Sequence, residues 1–296
     1  MRLLVVAVAL AWVSAVAAWP AAAPPALTWK QVAAGLRPAL DVRSSNPCQR
    51  GDISCLDLVI AEMKRRDRRQ AASCDHRALF TRLYLRTTEA FRAAAAAGRF
   101  HDRAAIVHFG AWFARLHFRA EDDWQAGRRA DVPGAWQVAF EAAGGRSVRS
   151  MGDLLLGMNA HISRDLAYTV ADVAGRSPAT LYPDFTLFTT IIESKSVVAL
   201  KELAARFDPA LAAAVVPLEL GGRGSLAALI GLWRSEAWAN GIALADARGS
   251  ARAAVARRIE RTALLRADAI VAATAYLPVV QSSRARDAYC AAHAGP

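Results

Sequence analysis

Apolar residues recur at spacings of three and four along nearly the whole chain after Cys55. Ile60 to Arg69, Asp75 to Ala97 and Asp102 to Glu121 each carry such a stripe. It returns from about Asp184 to Phe207, Leu226 to Ala247 and Ala251 to Tyr276. That rhythm belongs to an amphipathic helix, whose turn takes about 3.6 residues. Asp131-Val132-Pro133 reads as a helix start, because proline is tolerated in the first turn. Gly144-Gly145 stops that helix, and Ser150 is placed to cap the next. Pro217 to Gly224 and Arg248-Gly249-Ser250 separate the later helices. No stretch alternates with period two, and no Asn-Gly or Asp-Gly hairpin joins β-branched runs. The pattern predicts an all-α fold, a single multi-helix domain of orthogonal or bundle-like packing. It spans residues 46–296, after an N-terminal extension with a first helix at 19–45.

Residues 1–18 read as a targeting segment. Arg2 supplies the positive start, Leu3 to Val13 the apolar core, and Val16-Ala17-Ala18 a small-residue cleavage site before Trp19. The apolar run is short for a membrane span, and Pro20, Pro24 and Pro25 prevent its continuation. The expectation is a cleaved signal peptide and a secreted or extracytoplasmic protein. Export changes the reading of the four cysteines, which then suggest two disulfides. Cys48 and Cys55 flank a turn-rich segment and pair locally, leaving Cys74 to pair with Cys290. A zinc site made of all four is the alternative, but no Cys-x-x-Cys pair supports it.

A net charge of +11 sets the chain apart as basic, yet its arginines are dispersed among alanines on polar helix faces. An anionic envelope surface is the partner this charge suits. The densest run, Lys64 to Arg69, lacks interleaved aromatics, so no specific nucleic acid is expected.

The chemistry concentrates in Met151 to Val170. This apolar helical segment carries His161 and Asp165, whose four-residue spacing puts them on one face. Tyr168 and Asp172 continue the stripe, while Asn159 points roughly 160° away from His161, towards a neighbouring backbone. Buried polar groups need a partner, a water or a metal. Imidazole and carboxylate are both zinc ligands, so His161 and Asp165 are the candidate metal and catalytic residues. On the preceding helix, His101 and His108 share one face, and His117 lies nearly opposite. His108, mid-helix in apolar company, is the candidate third ligand of one zinc ion, the alternative being a core histidine bonded to a backbone carbonyl. His76 reads as a helix cap. Arg234 and Trp238, four apart, could stack, and packing of this aromatic segment is the stronger reading. Two functions fit these residues. One is a hydrolase whose metal activates water against an ester or phosphoester. The other is a non-catalytic envelope or binding protein in which the same residues form a structural polar network.

Gly157 to Leu166, reading Gly-Met-Asn-Ala-His-Ile-Ser-Arg-Asp-Leu, resembles the hallmark helix Gly-Met-Asn-Ala-His-Ile-x-x-Asp-Leu of a bacterial family of unknown function. Val132 to Trp136 and Trp233 to Trp238 resemble weaker patterns of that family. The resemblance implies a helical domain and brings no activity with it. His161-Ile162-Ser163-Arg164-Asp165 is also similar to a metal-binding helix of the zinc-dependent phospholipase C and single-strand nuclease group. The chain lacks the further His-x-x-x-His/Asp pairs of that group's three-zinc cluster, so the similarity implies one metal at most.

Overall fold

The computed structural model describes residues 27–174, 177–214, 226–277 and 279–293. Residues 1–18, read as a targeting segment, and the Gly221-Gly222-Arg223-Gly224 connector lie outside them. The fold is all-α, as the periodicity predicts. Among the described residues the only extended pairing is an isolated antiparallel bridge, Val148 to Ala275. The helices are α1 (Trp29–Gly35), α2 (Ser54–Ala72), α3 (Ala78–Ala96), α4 (Arg103–Gln125) and α5 (Gly134–Gly145). Next, α6 (Ser150–Asn159) runs on without a break into a π-helical stretch (Ala160–Leu166). One α-turn, α7 (Ala167–Thr169), and a second π stretch (Val170–Ala174) complete this central helix. The chain continues as α8 (Pro178–Arg206), α9 (Leu226–Asp246), α10 (Gly249–Thr274) and α11 (Arg284–His293). No helix among the described residues is long and apolar enough to cross a membrane.

The central helix is the hub. Helices α3, α4, α5, α9 and α10 all pack against it, so its side chains are enclosed on nearly every side. One contiguous core results, and α1 joins it through Trp29 and Val32. Close approach explains two glycines. A Cβ at Gly157 would stand 2.5 Å from Cγ of Phe80, and one at Gly241 would stand 2.6 Å from the Ala167 carbonyl. Gly157→Ala is therefore expected to lower stability by about 1–3 kcal/mol through overpacking, read as a lower denaturation midpoint.

Three local expectations are corrected. Ser150 does not cap α6: it is the first helical residue, and its hydroxyl donates to Asp208 Oδ2 at 2.6 Å. Helix α8 starts at Pro178, two turns before Asp184, and contains Pro183. Pro178 presets its own φ at the first helical position, where a missing N–H is harmless. Tertiary contact fixes the next turn: buried Asp184 accepts the backbone N–H groups of His101 and Asp102 at the start of α4, each at 2.8 Å. His76 is a buried crosslink, not a cap. Its Nδ1 meets Asp153 Oδ2 at 2.7 Å and its Nε2 meets Asp287 Oδ1 at 3.1 Å.

Both expected disulfides are present, Cys48–Cys55 and Cys74–Cys290, with no free cysteine. Bridging every cysteine fits an oxidising compartment. It also removes the four-cysteine zinc alternative, since the sulfurs are bonded to one another. The Lys64–Arg69 run is not an open cationic face. Arg66 is buried and binds Glu62, Glu121 and Asp122 at 2.7–2.8 Å, while Lys64 pairs with Glu89 and Arg69 with Glu121.

Candidate functional site

The first π stretch carries the predicted pair. His161 Nδ1 donates to Asp165 Oδ2 at 3.2 Å, and both residues are buried. The wider π turn keeps the two on one face and lets Arg164, the adjacent residue, reach Asp165 Oδ1 at 2.7 Å. Trp136 on α5 donates its indole N–H to Asp165 Oδ2 at 2.8 Å. Burial pushes the Asp165 carboxyl up, but the His161 hydrogen bond and the Arg164 charge outweigh it and hold the group ionised. Burial pushes the His161 imidazole down against the pull of Asp165, so the ring is neutral.

Aromatic rings fix His161 in place. It stacks on Phe113 with centroids 3.6 Å apart and planes 7° apart, and Tyr84 leans on it at 4.6 Å. His117 approaches to 5.6 Å and itself stacks on Trp136. Two small chambers flank this cluster, with Phe80 in the wall of both. The first, of about 40 Å³, is lined by His161, Tyr84, Phe113, Phe188, Ile192 and Arg234 among others. The second, of about 20 Å³, is lined by His117, Trp136, Gln70 and Asp153 among others. His161 Nε2 and Arg234 Nη2 are buried without a hydrogen-bond partner, and so are His117 Nδ1, Gln70 Oε1 and Asp153 Oδ1. Each chamber therefore has unsatisfied polar atoms among its lining residues, a rarity in native interiors. Burial, and then the neighbouring His161, push His117 down to about 3.

His108, the expected third ligand, does not join the pair. Its Nδ1 and Nε2 lie 3.0 Å from the carbonyls of Cys48 and Pro38, so the ring clamps the N-terminal segment onto α4. The opposite face of α4 supplies His117 instead. Tyr168 and Asp172 also face away: Tyr168 donates to Glu260 at 3.0 Å, and Asp172 accepts from the Trp112 indole at 3.2 Å. Asn159 donates to the Ala263 carbonyl at 2.8 Å, the backbone contact its angle predicts. Arg234 does not stack on Trp238. It lies over Phe185 at 4.5 Å and Phe188 at 5.1 Å, and Trp238 packs on Phe185 from elsewhere.

A zinc ion finds little to hold it here. Among the described residues no three His, Cys, Asp or Glu side chains are grouped as a metal site. Both Asp165 oxygens are engaged by protein donors, one of them a guanidinium. The one charged residue lining the His161 chamber is a cation, Arg234, which repels a metal. The single-zinc expectation at His161, Asp165 and His108 thus lacks its third ligand.

Asp165→Asn tests the network directly. The amide would set an N–H₂ against either Arg164 or the Trp136 and His161 donors. We expect a loss of about 3 kcal/mol in unfolding free energy. A variant as stable as the parent would show that the network contributes nothing.

A model of a protein family of unknown function, DUF5995, matches residues 56–273. The chain belongs to this family. The matched span runs from α2 to α10 and includes the whole central helix. No curated protein and no solved structure matches the chain.

Proposed function

We propose that this DUF5995 protein is an extracytoplasmic binding protein, and that its ligand occupies the chamber walled by His161 and Arg234. One observation carries the reading: two residues on the same small chamber each keep a buried polar atom unpartnered. Such atoms cost about 1–3 kcal/mol each when nothing satisfies them, and a ligand that supplied their partners would return that energy on binding. The stable protein-only ligation of Asp165 gives the carboxylate a different task, holding the His161 ring in one tautomer and orientation. The all-bridged cysteines and the apolar Leu3 to Val13 segment support the compartment.

Ligand-observed NMR with a library of small polar compounds tests this. Hits are expected with the parent protein and should vanish when Ile192→Phe fills the chamber. Hits that survive Ile192→Phe would place binding elsewhere and end the reading. A hydrolase reading rests on the oriented His161, which has the arrangement of a general base steadied by an acid. Turnover of an ester or phosphoester panel that disappears in His161→Gln, with the melting point kept, would move the assignment there.

A further inference from the structure

The buried arginines of this protein differ in one respect. Arg66 pairs with three carboxylates, and Arg82 pairs with Asp67 and Glu202. Arg234 is as deeply buried, yet no carboxylate among the described residues ion-pairs with it. Among the described residues its one hydrogen bond is from Nε to Thr189 Oγ1 at 2.8 Å; its face rests on Phe185 and Phe188, and Nη2 is unpartnered. Removing a guanidinium from water without a counter-charge is unfavourable by several kcal/mol. Glu193 on α8 attracts the guanidinium from a distance but does not pair with it, which leaves Nη2 open to an anion from outside.

We propose that the chamber binds a small monocarboxylate of formate or acetate size, with its carboxylate on Arg234. This rests on the ligand-binding reading above and names the ligand class. Size sets the limit: a chamber of about 40 Å³ holds the equivalent of about three waters, since each needs 10–15 Å³. Shape favours a carboxylate, because the planar guanidinium fork matches two coplanar oxygens better than a spherical ion. Ile162, Ile192 and Ile230 line the same chamber and accept the hydrogen or methyl end of the acid. Tyr84 supplies a hydroxyl to the lining, and a water taken in with the anion can donate to His161 Nε2 and to a carboxylate oxygen. The low-dielectric surroundings strengthen the ion pair relative to one in water.

The test uses the purified mature protein and sodium formate, with sodium acetate as the larger homologue and sodium chloride holding ionic strength constant. Carbon-13 formate line broadening and the melting temperature are both followed. Saturable formate binding with a matching rise in melting temperature is expected. Arg234→Gln and Arg234→Lys should weaken it about tenfold or more. Ile192→Phe, which leaves the charge in place, should abolish it and stands in if the arginine variants do not fold. Equal stabilisation by chloride would overturn the carboxylate assignment. Binding of neutral formamide or ethanol as tight as formate would also overturn it, while leaving the ligand-binding reading intact. If no small molecule, charged or neutral, binds in an Ile192-dependent way, both readings fall.

Discussion

Removing the Cys74–Cys290 bridge is expected to lower the unfolding free energy by about 5 kcal/mol, against about 2 kcal/mol for Cys48–Cys55. The difference follows from the chain. The bridges span separations of 216 and 7 residues. A crosslink restricts the unfolded chain more when the loop it closes is longer. The folded state adds to this at the long bridge. Beside it, Arg286 donates to the Cys74 carbonyl, and His76 ties Asp153 on α6 to Asp287 on α11. Once the covalent tie is gone, these contacts, the Arg146–Asp287 pair, the Tyr289 hydrogen bond to the Ala205 carbonyl and the packing on α8 hold the C-terminal helix, and fraying there exposes Asp153, which lines the second chamber. Urea denaturation of the Cys74→Ala/Cys290→Ala and Cys48→Ala/Cys55→Ala double variants measures both effects. Equal losses, or a larger loss for the short bridge, would show that loop entropy does not govern stability here.

The helices were legible because amphipathic period is a local property of the chain. The His161–Asp165 pair was legible for the same reason, since four residues apart on a helix means one face whether the winding is α or π. The disulfides followed from a small even cysteine count and the proximity of two of them. The third member of the polar cluster was not legible. Helix α4 is enclosed on both sides, so His108 and His117 are both buried and periodicity cannot rank their faces. What separates them is the neighbour each face meets: the N-terminal segment's carbonyls for His108, the central helix for His117. Arg234 was hidden differently. Within Trp233 to Trp238 the nearest aromatic partner four residues on is Trp238, but α8 brings Phe185 and Phe188 closer. Contacts between elements distant in sequence decide such cases, and a single chain carries no local trace of them. The π winding of the central helix is not legible either, because its apolar spacing resembles that of an ordinary helix.

His117 and His161 should make the protein acid-sensitive well above the ordinary carboxylate range. Burial, and then the nearby His161, hold His117 at about 3 in the folded protein, against 6.5 for an unperturbed imidazole. The unfolded state therefore binds the proton more readily between those limits. By linkage, stability is full above about pH 6.5 and falls as the pH drops towards about 3. The slope is about 1.4 kcal/mol per pH unit, so His117 alone should remove about 2 kcal/mol by pH 5. His161 is shifted in the same direction, again chiefly by burial, and adds to the slope. Several buried carboxyls respond in the opposite sense: burial raises Asp153, Asp67 and Asp172, and these oppose the histidines as the pH falls. The contribution of His117 is isolated by difference. Urea denaturation of the parent and of His117→Gln between pH 7.5 and 5 should give a parent curve that falls more steeply, by about 1.4 kcal/mol per unit below pH 6.5. Parallel curves would mean that His117 is protonated equally in both states. In that case its burial between Trp136 and Phe80 would not exclude the charge, and the second chamber would have to admit water enough to solvate it.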